Sequence, residues 1–350
     1  MRSTSRARLS TALLAALPGA ASAQEINALV WCDHADPALI EPFEEATGIR
    51  VNLREYEGTG TALATLEQSR PGDWDVLVID AIDVPRVVEA GLMAPLPAAE
   101  LPTADFFPEV VMGESTTRDG QVYAVTEKFG YNSVSFNSEA VDPADMSDLD
   151  AILSDDHAGR IAIYDYYLPV IGLAAVNLGL DTQALTAEDL PAIRDVLFRM
   201  KDLASSVGEV VASQTALATG EADIVVGGGE WLTAVLAAEQ PELTWTIPEG
   251  GAVLWAQSIG VLADSQNPEA ALEFVKYVVS PEGQARLATS SCYWGMPANR
   301  LAGDHLTAEQ KATLRWDEQP GYLSRAQFYP SPDAELDAAM QDLWLEMLQR

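Results

Sequence analysis

The residues of this chain that could do chemistry are aromatic and acidic. Trp31, Trp255 and Trp294 lie in or beside runs of strand character, and Asp80, Asp165 and Glu230 stand at strand or helix ends. An indole face attracts a cation by about 0.5 to 2 kcal/mol, and a carboxylate accepts the N–H groups of an ammonium. Gathered around one cavity, such groups suit an organic cation or an amine-bearing zwitterion. Asp33 shares a loop with Trp31, Tyr166 follows Asp165, Trp231 follows Glu230, and Gln257 lies two residues after Trp255, which adds all four to the candidate ligand-binding set. Lys128 is the odd member. It can meet the carboxylate or phosphonate of a zwitterionic solute, or it can pair with Glu127 or an acid of a second lobe, and pairing is the more ordinary fate of a lysine.

Other chemistries find little support. His34, His157 and His305 show no helical pair spacing for a metal, no serine sits in a GxSxG turn, and neither GxGxxG nor GK[ST] occurs. No cofactor or catalytic residue is expected. Gly227 to Gly229 precede a predicted helix and could cradle an anion. Tyr164, Tyr166 and Tyr167 read by default as packed or rim tyrosines. Cys32 and Cys292 are the two cysteines. They either pair, at about 4 to 5 kcal/mol in the chain-entropy model if their Cα atoms come within about 7 Å, or remain buried thiols.

The elements that must position these residues follow an α/β alternation. Residues 26–57 read as strand, helix, strand: an apolar run ends at Trp31, Leu39, Ile40, Phe43 and Ala46 recur at helical spacing behind Pro37, Gly48 suits a C-cap, and 51–56 alternate. A βαβ unit puts the loop 31–36 at the carboxyl edge of a parallel sheet, where open α/β folds bind ligands. Further buried strands are expected at 75–79 and 222–226, and a strand over 127–137 changes to alternating character, as if passing from one sheet into another. Helices are expected over 166–179, 187–207, 230–239, 268–279 and 333–348, and strands at 243–247 and 252–262.

The ends and composition bound the class. Arg2, Arg6 and Arg8, an apolar run over 9–17, and Ala21-Ser22-Ala23 form a secretory signal peptide over residues 1–23, with Gln24 rather than a lipid-accepting cysteine following. The exported remainder is too long for one core and predicts about two domains. A formal charge of −33 makes nucleic acid a poor partner.

Six segments in order, WCDHADPALIEPFEEATGIRV, GDWDVLVIDAIDVPRVVEAGLMAPL, GYNSVSFN, GEADIVVGGGEW, IPEGGAVLWAQSIGVL and NPEAALEFVKYVVSPEGQARLA, cover nearly the whole exported chain. In this order they resemble the periplasmic spermidine/putrescine-binding proteins of ABC importers. The resemblance implies a two-lobe periplasmic-binding-protein fold of type II character, with a solute cleft between lobe 1 (24–130 plus 257–305) and lobe 2 (131–256 plus 306–350). It further implies a monomer in the periplasm that closes on a small amine solute about crossovers near 129–136 and 254–260, and an ABC permease in the inner membrane as partner.

Residue by residue, the resemblance makes Trp31 and Trp255 the family's two stacking tryptophans. Gln257 stands where the family has an aspartate for the ligand's ammonium, Asp80 where it has a serine, and Ile82 where it has a tyrosine. Pro169 replaces an acid, with Asp165 keeping a carboxylate at the preceding strand end. Glycines 228 and 229, then Glu230 and Trp231, follow the strand after which the family has a tryptophan. Ferric-ion binders of the same class carry a tyrosine pair after that strand, so iron is not implied. The competing readings are a binder of a zwitterionic amino acid or aminophosphonate, an exported enzyme using Asp80, Asp165 and Glu230 as acid and base, and a sensor reporting to a membrane receptor.

Overall fold

The computed structural model describes residues 24–350, and the expected signal peptide lies outside them. The first βαβ unit forms as its pattern dictates. Strand β1 (Glu25–Val30) and strand β2 (Arg50–Glu55) run parallel with Ile26 opposite Val51, joined by the helix Pro37–Thr47. The Asp36 carboxylate accepts the Ala38 N–H at 2.9 Å to start that helix, and Gly48, at φ 71°, ends it. Strand β3 (Val76–Asp80) lies parallel on the other side of β1.

Strand β4 (Val125–Asn137) ties the molecule together. After it come β5 (Ile161–Tyr164), β6 (Ala204–Gly208), β7 (Ile224–Gly228), β8 (Leu243–Thr246), β9 (Ala252–Val261), β10 (Met296–Pro297) and β11 (Ala326–Phe328). The first part of β4 pairs antiparallel with β9, its last residues pair with β7 and β8, and the register against β7 breaks between Ser133 and Val134. One curled sheet thus runs β2-β1-β3-β9-β4-β7-β5-β6 through both lobes, with β4 as the strand common to them.

Each lobe has its own core. Leu39 and Phe43 of the first helix meet Phe274, Val275 and Val278 of the helix Pro268–Val278 beneath β1 and β9. In the other lobe Ile193, Leu197, Met200 and Leu203 make one stripe of the helix Leu190–Leu203 and pack with Met340, Leu343 and Met347 of the helix Ala334–Leu348. Burial of such a side chain stabilises by about 1.5 to 3 kcal/mol. No described helix is long and apolar enough to cross a membrane.

Two segments differ from the pattern reading. The helix expected over 187–207 ends at Leu203, because residues 204–208 pair with β5 in parallel and Ser-Ser-Val-Gly is a weak helix former. The helix expected over 230–239 is regular only over Glu230–Thr233 and continues in tighter turns, with Leu236 N–H donating to the Thr233 carbonyl at 2.9 Å and Glu239 N–H to the Leu236 carbonyl at 3.0 Å. Leu306, Leu314, Tyr322 and Leu323 pack in the same core as Phe43 and Phe274, whereas Tyr329 and Met340 pack in that of Ile193 and Leu197.

Candidate functional site

Four strands set one row of side chains across the sheet. Asp80 ends β3 and faces Gln257 of β9, Gln257 faces Lys128 of β4, and Lys128 faces Pro297 of β10. Directly opposed residues of antiparallel strands project to one face of a sheet, so an acid, an amide and a lysine share this face. Trp255 lies two residues back on β9, opposite Gly130. A Cβ at Gly130 would collide with the Trp255 ring and the Glu230 carboxyl, so only glycine lets both approach β4 there.

Lys128 does not present a free charge to the cleft. Its Nζ donates to Asp33 Oδ2, and Asp33 Oδ1 accepts from His34 Nδ1 at 2.9 Å; His34 Nε2 donates in turn to Glu127 Oε2 at 3.1 Å. All four residues are fully buried. Burial works against the charge on His34, but the Glu127 and Asp33 carboxylates on its two sides raise it to about 10, so it is a cation. Burial likewise opposes ionisation of Asp33, and the Lys128 and His34 cations overcome it and hold the carboxyl well below its usual range. Two bases thus face two acids, with burial pushing the Glu127 carboxyl up and the Lys128 ammonium down against the pull of their partners. Lys128 pairs with an acid, and that acid is Asp33 rather than Glu127 or an acid of the second lobe.

Asp80 is the contrasting case. It is half-buried, and its carboxylate accepts no hydrogen bond among the described residues. Burial, with the Asp83 charge added, pushes it up to about 7. It lies in the wall of a recess between the lobes together with Ile82, Met112, Trp255, Phe328 and Tyr329, with room for about 10 Å³, close to one water molecule. Tyrosines surround it. Burial first, and the Asp80 charge second, raise the phenols of Tyr164 and Tyr166, and Asp80 adds to the rise at Tyr293 and Tyr329, so all four stay neutral. Tyr166 packs edge-on to Tyr329 with ring centres 6.0 Å apart.

Beside Asp80, Gln257 is buried. Its Nε2 donates to the Tyr293 hydroxyl at 2.5 Å, while its Oε1 is buried with no partner. Tyr293 also holds its ring centre 3.8 Å from Lys128 Nζ and meets the Trp255 ring edge-on at 6.1 Å. Trp255 packs against the cores of lobe 2, and Trp31 against those of lobe 1.

The remaining candidates are placed elsewhere. Trp31 lies against Tyr56 with ring centres 5.2 Å apart and is not in the wall of the recess. Glu230 is fully buried, is pushed up to about 8 by burial, and accepts the Tyr131 N–H at 3.1 and 3.2 Å. Trp231 Nε1 donates to the Tyr131 carbonyl at 3.1 Å, so this pair grips the crossover strand β4. Asp165 is exposed and accepts from Trp344 Nε1 at 3.1 Å. Trp294 packs against the core of lobe 1. The structure therefore brings together Asp80, Gln257, Trp255 and Tyr166 with Tyr293 and Tyr329, the last two missed from sequence. Only the Cys-Tyr-Trp run at 292–294 signalled Tyr293, and nothing local signalled Tyr329.

The sequence profile of a family described as bacterial extracellular solute-binding protein matches residues 38–313. The spermidine/putrescine-binding periplasmic protein of Escherichia coli K12 is 23% identical over 318 residues, 89% of either chain. The putrescine/agmatine-binding protein of Pseudomonas aeruginosa is 25% identical over 288 residues, 78% of this chain and 77% of that one. In three dimensions, a spermidine/putrescine ABC transporter substrate-binding protein from Streptococcus pneumoniae is similar at a TM-score of 0.82 and 18% identity, over 93% of this chain and 99% of the other.

Proposed function

We propose, since the chain belongs to the family of bacterial extracellular solute-binding proteins, that its solute is a small amine held as an ammonium by Asp80. The observation that carries this reading is the unpartnered Asp80 carboxylate among aromatic rings. An isolated carboxylate there is costly, and a cation is the ligand that repays it. The faces of Trp255 and of the tyrosines beside it add cation–π attraction. The names of the relatives support the same class, because spermidine, putrescine and agmatine are amines. Lys128 is neutralised by Asp33, which removes the cation that a zwitterion's acid group would seek. Among the acids of the recess only Asp80 is free, so one ammonium, with an apolar or uncharged remainder, is the favoured solute.

The recess has room for about one water molecule, so a solute enters when the lobes part about the crossovers near 129–136 and 254–260. Closure then buries it between Asp80 and Ile82 on one side and Trp255 and Tyr329 on the other. The closed form is what an inner-membrane ABC permease would recognise, with the protein acting as a monomer in the periplasm.

A thermal-shift and calorimetric screen over monoamines, polyamines, quaternary amines, amino acids, aminophosphonates and simple anions tests this. Stabilisation by amines without turnover is expected. Stabilisation by anions alone overturns it.

A further inference from the structure

Cys32 and Cys292 form a disulfide whose Cα atoms are 6.0 Å apart and which joins positions 260 residues apart. Cys32 lies between Trp31 and Asp33, and Cys292 directly precedes Tyr293. These neighbours meet again through Lys128, whose Nζ donates to Asp33 and sits 3.8 Å from the centre of the Tyr293 ring. Asp33, Lys128, Tyr293 and the two half-cystines thus close a ring, and the disulfide is its covalent link between loops. Tyr293 carries the effect outward, because its hydroxyl fixes Gln257 and its ring abuts Trp255.

We propose that the Cys32–Cys292 disulfide is a positioning element of the solute site, seating Tyr293 on Lys128 and thereby Gln257 and Trp255 beside Asp80. Solute affinity then depends on the bond being intact. This rests on the amine-binding reading given above. The loops have other ties: Ser291 N–H donates to Asp36 at 2.7 Å and Gly295 N–H to the Ala288 carbonyl at 2.9 Å. These hold the backbone when the bond is cut, so the loss falls on side-chain placement, and preorganisation of a site is a large part of its affinity. Cys292 is exposed and Cys32 half-buried, within reach of a reductant. A dithiol cleaves the S–S bond by giving two electrons and two protons, leaving two cysteine thiols and becoming a cyclic disulfide itself.

The test compares the oxidised protein, the dithiol-reduced protein and the Cys32→Ser/Cys292→Ser variant. Affinity for a monoamine, butylamine, is read from tryptophan fluorescence well below the melting temperature, and acetylation of Lys128 is read by mass spectrometry without solute. At least tenfold weaker binding and faster acetylation of Lys128 are expected on reduction, both restored by reoxidation. Tyr293→Leu should cause a similar loss in the oxidised protein and little further loss on reduction, because coupled effects are not additive. A lower melting temperature with unchanged affinity overturns the proposal, and so does equal acetylation in both states. If the oxidised protein binds none of the amines, the amine reading fails, and acetylation alone then decides whether the disulfide positions Lys128 and Tyr293.

Discussion

Asp80 and Gln257 face each other across adjacent antiparallel strands, and each carries oxygen without a donor: the carboxylate of one accepts nothing and the buried amide oxygen of the other has no partner. A buried acceptor such as the Gln257 oxygen is costly when unmatched, by about 1 to 3 kcal/mol, and the half-buried Asp80 carboxylate less so. A ligand with N–H groups that reached both would satisfy them at once, which is the reason for proposing this pair rather than the larger charge cluster as the focus of recognition.

Replacing Asp80 with Asn is expected to weaken amine binding by about ten- to hundredfold, the share of one charge-assisted hydrogen bond at about 1.5 to 3 kcal/mol. The apoprotein should melt no lower than the parent, since an unpaired acid has been removed. Calorimetric titration beside a melting curve checks both.

Amine affinity should rise with pH. The Asp80 carboxyl, raised to about 7 in the free protein, must be ionised to hold a cation, so affinity climbs by up to about tenfold per unit below that pH and levels off above it. The sign for the empty protein is opposite. A raised acid contributes stability that is complete below its ordinary value of 3.8 and is lost as pH passes the folded value. Binding isotherms from pH 5 to 9 should show the climb in the parent and a flat profile in Asp80→Asn.

Glu230→Gln tests the gripping of β4. The Glu230 carboxyl, at about 8 in the fold against an ordinary 4.5, is neutral at pH 7, and glutamine is its neutral likeness. Its stability contribution is present below the ordinary value and fades as pH rises through the folded one. The melting temperatures of parent and variant should therefore be close at pH 5 and diverge in favour of the variant by pH 9.

Lys128→Met leaves the Asp33 charge buried without its lysine, and breaking a buried pair typically costs about 3 to 5 kcal/mol. Asp33→Asn/Lys128→Met is expected to recover at least half of that loss. Urea unfolding of the parent, both single variants and the double variant measures the coupling; additive losses would show that the two do not stabilise one another.

Much of the scaffold was legible because its signals are local. Pro37 and Gly48 mark one helix within a dozen residues, and apolar runs such as Val76–Ile79 need no distant partner to be read as buried strands. The site was half legible. Asp80 and Trp255 could be picked out because strand ends in α/β folds line clefts, but no spacing told Trp31, Asp165 and Trp294 apart from them as residues that would pack elsewhere.

What the sequence determined alone was the class: an exported, acidic α/β chain of two lobes with aromatic and carboxylate groups at its strand ends. What only the tertiary structure decided was which charges cancel. Asp33 and Lys128 are 95 positions apart, Cys32 and Cys292 are 260, and Gln257 meets Asp80 only through strand register. An ion's partner is set by distance and burial in space, and neither is written in the order of the residues, so Asp80 stood out only once Asp33 and Lys128 had found each other.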